Sequence, residues 1–260
     1  MYIHKFFCAF CISLCLLGTT VRAQDKTPPA VTITAQTSPL NLARAAFAAQ
    51  GGEKFRALQN TILRGSAQLY PPNSVQSIPG SFSIVTAGSK FRMEIDARPA
   101  FVFRQIYDGQ QSYTSMPNVE MPPITKYGLH ALAKFDQQGY QVTAIADKKK
   151  ERGFRLVDPD GYTTDFYVDP KTGRVMSFFM YSGQLTLGTE HSKFKEMEGI
   201  LIPSSFSQRF ETAMGAFFAE FNVKEVKFNQ QLPEDAFAIP RQSALLLFHL
   251  WRWGSEDFDL

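Results

Sequence analysis

The stretch FRLVDPDGYTTDFYVDPKTGRVMSFFMY, residues 154–181, indicates the fold of this chain most clearly. It contains two turns of the same chemistry, Asp158-Pro159-Asp160-Gly161 and Asp169-Pro170-Lys171-Thr172-Gly173. In each turn the proline sets φ at the second position, and the glycine supplies a positive φ at the end. The stretch therefore predicts a meander of three antiparallel strands, Phe154–Val157, Tyr162–Val168 and Val175–Tyr181.

Upstream of the meander, the segment Lys90–Asp96 alternates without interruption between apolar and charged side chains. Phe91, Met93 and Ile95 share one face, which is typical of an antiparallel strand with one face in the core and one in water. Weaker patterns of the same period predict further strands at Ile62–Leu69, Phe82–Thr86, Phe101–Tyr107, Gln111–Ser115, Leu185–Glu190, Ser204–Thr212 and Ala216–Phe228.

The last of these strands changes phase near its end. Phe217, Ala219, Phe221 and Val223 share a face, but Val226 and Phe228 continue the pattern one residue out of step, which predicts a β-bulge at Lys224-Glu225. A bulge bends its strand. Long, bent strands without helical crossovers predict a mainly β (α+β) fold, with a strongly curved antiparallel sheet or an unclosed β-barrel.

Helical patterns are few. Pro39–Gln50 is apolar at helical spacing, with Ser38 as a candidate N-cap and Gly51-Gly52 as the stop. A short helix at Glu53–Leu58 follows. A third helix is predicted at Lys126–Gln137, between Pro122-Pro123 and Gly139.

The N-terminus is typical of a signal peptide over residues 1–23. Lys5 precedes the apolar run Phe6–Leu17, and Val21-Arg22-Ala23 predicts cleavage after Ala23 and export to the periplasm. A twelve-residue run is shorter than the roughly 20 residues that span a bilayer. All three cysteines lie in this segment. The remaining chain divides into a flexible leader (24–38), one domain (39–240) and an apolar C-terminal extension (241–260).

Composition and motifs argue against several functions. Without Lys5 and Arg22, 25 of the 27 basic residues remain against 24 acidic ones, so no charge pattern for nucleic acid is present. Ser192-Lys193-Phe194-Lys195 matches Ser-x-x-Lys only formally, since it falls in or beside a strand. The histidines His130, His191 and His249 have no metal-ligand spacing. The chain is therefore expected to be non-catalytic, without metal or cofactor.

Phenylalanine is the compositional outlier, with 24 residues, three of them in the signal segment. Such side chains either fill a core or line a cavity, and the residues alone leave both alternatives open. The apolar segment Ala244–Trp253 also has two interpretations, a docked final strand or a segment that contacts a membrane or a partner protein.

Several short segments, in order, resemble the LolA/LolB-type lipoprotein carrier superfamily between about Leu40 and Pro240. The quoted matches are Ala49-Gln50-Gly51-Gly52, Lys90–Glu94, Tyr107-Asp108-Gly109, Asp165–Gly173, Gly199–Pro203 and Leu232–Phe237. The resemblance implies an unclosed barrel of about eleven strands, with helices covering the opening and a cavity for acyl chains.

The resemblance and the residues together predict a monomeric periplasmic carrier or binder of acyl chains, from lipoproteins or lipids. The segments Leu40–Gln50 and Lys126–Gln137 are expected to form its lid. The alternative is an envelope interaction or sensor module with a filled core, for which Ala244–Trp253 is the main motive. The residues predicted to line the carrier's cavity are Phe91, Met93, Ile95, Phe166, Val168, Phe217, Phe221 and Val223.

Overall fold

The structure is a computed structural model that describes residues 32–72, 74–116, 121–183, 185–212 and 215–240. The predicted signal peptide (1–23), the first part of the predicted leader and the extension 241–260 with Ala244–Trp253 lie outside the described residues, so these assignments stay predictions. Within the described part of the leader, Ile33 is buried in the core, so packing begins before Pro39.

In the described part of the chain, twelve strands form one antiparallel sheet in the order β5-β4-β3-β2-β1-β12-β11-β10-β9-β8-β7-β6. The sheet is unclosed, because β5 and β6 lie at opposite edges. The strands are β1 (Asn60–Tyr70), β2 (Ile78–Ala87), β3 (Lys90–Ala97), β4 (Phe101–Tyr107), β5 (Ser112–Thr114), β6 (Gln141–Ala144), β7 (Arg152–Val157), β8 (Thr163–Val168), β9 (Val175–Ser182), β10 (Leu185–Met197), β11 (Ile200–Thr212) and β12 (Gly215–Phe228).

The predicted mainly β fold is therefore confirmed, with one strand more than the expected eleven. That strand, β6, was missed because its four residues are mostly exposed and carry no apolar alternation. The predicted meander is present as β7, β8 and β9. Its two turns close as expected, since the N–H of Gly161 donates to Asp158 O (3.0 Å) and the N–H of Gly173 donates to Asp169 O (2.8 Å).

The predicted bulge in the last strand is also confirmed. Arg64 of β1 pairs with Glu225 of β12, whereas the next residue, Gly65, pairs with Val223, so Lys224 is the extra residue. Gly65 has a steric role at this bend. A Cβ at this position would lie 1.9 Å from Asn222 O and 2.8 Å from the ring of Phe82. Only glycine lets the two strands approach this closely.

Within the described ranges, three α-helices accompany the sheet. Helix α1 (Pro39–Gln50) begins at Ser38, whose hydroxyl accepts from the Asn41 N–H, and it ends at Gly51 with φ of 120°. Helix α2 (Glu53–Arg56) follows at once. Helix α3 (Gly128–Leu132) comes after a 3₁₀ turn at Ile124–Lys126.

The prediction of one helix over Lys126–Gln137 is wrong in length. Gly128 has a positive φ (56°), which breaks the helical path after the 3₁₀ turn. Beyond Leu132 the backbone forms bonds between residues three apart, from Lys134 to Ala131 and from Phe135 to Leu132, which are tighter than those of an α-helix.

The segment that connects the two edge strands crosses the inner face of the sheet. Near its start, Thr125 Oγ1 donates to Ser89 O (2.9 Å) in the β2–β3 turn. Three residues later, the N–H of Gly128 donates to Thr164 Oγ1 (3.2 Å) on β8. Residues 121–132, here called the crossing segment, therefore link two distant parts of the sheet.

The two largest of four apolar clusters among the described residues lie at different places on the inner face. One lies under α1 and is built from α1, α3 and the meander strands, with Leu42, Phe154 and Phe166 among its members. The other is built from β1 to β4, β11 and β12, with Phe82 and Phe221 among its members. The first cluster is closed over by α1, whereas the second borders open space.

We expect Gly65→Ala to destabilise the protein by about 1–3 kcal/mol, because the added methyl group must push apart a backbone carbonyl and a buried ring. Ser66→Ala, one residue along the same strand, is the control and should change stability by less than about 0.5 kcal/mol. Urea unfolding of both variants measures the difference, and equal stabilities would contradict the steric role of Gly65.

Candidate binding cavity

A cavity of about 610 Å³ lies on the inner face of the sheet, beside the second cluster. Phe103 of β4 and Phe178 of β9 both line it, although six strands lie between them in the sheet. The sheet therefore curves around the cavity. The crossing segment contributes Met121, Ile124 and Leu129 to the wall. Other apolar lining residues include Leu63, Leu69, Ile84, Met180, Leu187, Ile202, Phe206 and Phe210.

Five of the predicted site residues lie together in this wall. Phe91, Met93 and Ile95 come from β3, and Phe217 and Phe221 come from β12. Their alternation along the strands places them on one face, as the period of two requires. Their contact with a ligand stays a prediction.

The other three predicted residues do not line the cavity. Phe166 and Val168 are fully buried under α1, where the ring of Phe166 stacks on that of Phe154 at 5.0 Å. Val223 packs against the second cluster without reaching the open space. The strand pattern correctly gives an inward face for Phe166 and Val168, but it does not show that α1 fills that half of the sheet.

The cavity opens at one end of the sheet. Phe101 and Phe218 line it and yet keep 39% and 37% of their surface exposed. The rings of Tyr70 and Phe218 lie 5.5 Å apart across the β1–β12 pair. These residues adjoin the β1–β2, β3–β4 and β11–β12 turns, at the end opposite to the β2–β3 turn that holds the crossing segment. These three aromatic side chains form an apolar rim on the described part of the mouth.

The described lining residues include no Asp, Glu, Lys or Arg. Charged side chains of the same strands lie on the outer face instead. Glu94 accepts from Arg92 (2.7 Å) and from Arg104 (2.6 Å) there. Partial burial raises the pKa of Glu94, but these two hydrogen bonds outweigh it and the net pKa is lowered. The interior is thus apolar and without formal charge at neutral pH.

The polar groups in the wall are neutral. Burial lowers the pKa of His191 to about 4, against a hydrogen bond to Val175 O that raises it. Burial also lowers the pKa of His130 to about 4, with a smaller contribution from the charge of Lys134. Sequence patterns did not single out these residues as cavity residues. The remaining polar lining side chains include Gln50, Thr61, Thr86, Gln105, Thr189 and Gln208.

The described ranges contain no cluster of His, Cys, Asp or Glu arranged to hold a metal ion. Ser192 lies within β10, where its hydroxyl donates to Ser205 O (3.1 Å), so the formal Ser-x-x-Lys match is not on a helix. Among the residues searched, none of the helices is long and apolar enough to cross a membrane. The apolar wall of the cavity offers burial of an apolar ligand.

Comparison with protein-family models finds no match, and neither does comparison with curated proteins. Solved structures do match. A LolA superfamily protein from Nitrosomonas europaea superposes with a TM-score of 0.51 at 13% identity, over 78% of this chain and 98% of that chain. A putative outer membrane lipoprotein-sorting protein domain from Vibrio parahaemolyticus gives 0.46 at 13% identity, over 77% and 96%. A DUF1329 family protein from Desulfovibrio piger gives 0.46 at 10% identity, over 77% and 98%.

The fold and the cavity define a class of protein. In this class an unclosed antiparallel sheet curves around an apolar space, and a helical segment crosses the inner face of the sheet. The first superposition shows which fold this is: the chain has a LolA-like fold. The resemblance read from the short segments of the sequence is thereby confirmed for the fold. At such low identity the likeness concerns architecture alone.

We expect the stability of the protein to depend on pH through His191. The unfolded chain binds a proton at this residue below its ordinary pKa of 6.5, whereas the folded protein binds it only near pH 4. The free energy of unfolding therefore falls as the pH falls through this window, by about 2 kcal/mol between pH 7.5 and 4.5 for this one group.

Urea unfolding at the two pH values measures the effect, and His191→Phe should remove its share of the decrease. His130 contributes in the same direction in both proteins, so the difference between them isolates His191. An NMR titration that places the pKa of His191 near 6.5 would contradict the expectation.

Proposed function

We propose that this protein is a non-catalytic carrier or binder of acyl chains, on a lipoprotein or a free lipid, in the periplasm. The observation that supports this most directly is the open cavity of about 610 Å³ whose described lining has no charged side chain. Ligand pockets typically measure roughly 300–1,000 Å³. Each methylene that moves from water into such a site contributes about 0.8 kcal/mol, so an acyl chain binds without any directional contact.

The cavity also favours this proposal over a filled-core interaction module. Protein interiors are close-packed, and unfilled apolar space loses dispersion contacts. The half of the sheet under α1 follows that rule, with Phe154, Leu156 and Phe166 fully buried. The other half leaves comparable side chains facing open space, which is costly unless a ligand fills it. The contrast within one sheet supports a role for the space.

The two ends of the cavity differ in a way that suits a carrier. At one end the crossing segment is fixed by Thr125 and Gly128, and Arg56 of α2 donates to Ala133 O (2.8 Å) just beyond it. At the other end Phe101 and Phe218 of the apolar rim are partly exposed among the residues that the structure describes. An acyl chain that enters there displaces none of the hydrogen bonds that hold the crossing segment.

The test is a cavity-filling substitution with a matched control on the same strand. Ile84→Trp places an indole in the cavity, whereas Ser83→Trp places the same group on the opposite face of β2. We expect Ile84→Trp to weaken binding of the apolar dye N-phenyl-naphthylamine at least tenfold, because the indole occupies the space that the dye needs. Ser83→Trp should leave it within about twofold.

Dye fluorescence measures the binding, and circular dichroism checks that both variants are folded. Equal affinities in the two folded variants would count against the cavity as the binding site. If the unmodified protein bound neither the dye nor any acyl lipid, the proposed carrier function itself would be contradicted.

The proposed location has its own prediction. Residues Val21-Arg22-Ala23 suit signal peptidase, so the exported protein should begin at Gln24. Mass spectrometry of the protein recovered from a periplasmic extract tests this. Recovery of the chain with its N-terminal 23 residues attached, in the membrane fraction, would contradict cleavage.

A further inference from the structure

Several polar side chains meet at one place in the otherwise apolar wall. Thr189 of β10 pairs across the sheet with Phe178 on β9 and with Gln208 on β11. His191 follows two residues along β10, and its ring lies 5.8 Å from that of Phe178. All four side chains line the cavity.

The crossing segment reaches the same place. A Cβ on Gly128 would lie 2.8 Å from the ring of Phe178, so the start of α3 packs directly on that ring. His130, two residues further along α3, also lines the cavity. Phe178 therefore lies between the helix that presents His130 and the strand that presents His191.

The hydrogen bonding of His191 fixes what the residue offers. Its Nδ1 lies 2.8 Å from Val175 O, and because a carbonyl only accepts, Nδ1 must bear the proton. Burial keeps the ring neutral at ordinary pH, so Nε2 is an acceptor. Within the described part of the chain, no protein donor bonds to Nε2.

Thr189 is the second buried polar group without a partner. The residue is 3% exposed, and its hydroxyl forms no hydrogen bond to the described residues. Buried polar atoms are rarely left without partners, and those that are often mark a functional site. Among the described residues, the side chains of Gln208, which pairs with Thr189 across the strands, and of His130 on α3 also form no hydrogen bond.

The charges around this cluster limit what it binds. No lysine or arginine is among the described residues of the wall, so nothing there offsets the desolvation of a carboxylate or phosphate. The desolvation of an uncharged polar group on entering the cavity costs much less free energy. An N–H or O–H of such a group can donate the hydrogen bond that Nε2 of His191 does not receive from the described residues.

We propose that His191, Thr189, Gln208 and His130 form a neutral hydrogen-bonding subsite that takes an uncharged donor, a hydroxyl or an amide N–H, on a ligand whose hydrocarbon chain fills the rest of the cavity. This inference rests on the proposed function and specifies its ligand class. The subsite distinguishes ligands by the group at the end of the chain, whereas the apolar wall distinguishes them by chain length.

The test compares ligands of one chain length by displacement of N-phenyl-naphthylamine. Hexadecanol and palmitamide carry a neutral donor, hexadecyl methyl ether carries none, and palmitate is an anion. We expect the donors to bind about tenfold tighter than the ether, as one gained hydrogen bond implies. Palmitate should bind no tighter than the ether. The two donors show whether a hydroxyl or an amide is preferred.

Substitutions place the preference at the subsite. Thr189→Val and His191→Phe should each reduce the ratio of ether to hexadecanol dissociation constants at least threefold, while binding of the ether itself stays within about twofold. Thr186→Val, the same change on the same strand outside the cavity wall, is the control and should keep the ratio. Two independent variants keep the test valid if one of them does not fold.

Each outcome is decisive. Equal binding of hexadecanol and the ether to the unmodified protein overturns the subsite but leaves the acyl-chain function standing. Tightest binding of palmitate overturns it in the same way. An unchanged ratio in both folded variants overturns the assignment to these residues. No binding of any of the four ligands overturns the proposed function, and the subsite with it.

Discussion

The rest of this structure depends on how one segment holds the open sheet. Strands β5 and β6 are consecutive along the chain but lie at opposite edges of the sheet, and the crossing segment between them lies on its inner face. The hydrogen bonds that fix this crossing include those from Thr125 to Ser89 O and from the Gly128 N–H to Thr164 Oγ1. They join the β2–β3 turn to β8 and thereby keep the sheet curved without barrel closure.

The two halves of the inner face of this curved sheet are covered differently. Helix α1 lies on one half and completes an ordinary packed core around Phe154 and Phe166. Over the other half, the described residues include no helix comparable to α1. The phenylalanine, leucine and methionine side chains of this half face a space that the crossing segment covers only in part. Charged residues such as Arg92 and Glu94 lie outside, where they pair with one another. An apolar, uncharged interior follows from this separation, and the proposed acyl-chain function depends on it.

Local patterns predicted the sheet well because each strand signals its own period. The alternation at Lys90–Asp96 gave β3, the paired turns gave the meander, and the change of phase near Lys224 gave the bulge. The pattern did not predict the length of α3, since Gly128 interrupts the helix with a positive φ that apolar spacing alone does not report. It also missed β6, which is short and exposed.

The candidate site was harder to predict than the fold for a physical reason. Alternation shows which side chains point inward, but only the tertiary structure shows what lies opposite them. Phe91 and Phe221 face the cavity, whereas Phe166 points inward by the same rule and meets α1. His191 and Thr189 had no signal at all, because a single polar residue in a strand does not show whether it faces water, a partner or a ligand.

The most direct test of this account is a crystal structure of the mature protein with bound hexadecanol. The account predicts one chain in the cavity, with its methylenes against Met93, Phe103 and Leu187, and its mouth end bordered by Phe218. A chain bound on the outer face of the sheet or between α1 and the meander would contradict it. So would a cavity that stays empty at saturating ligand.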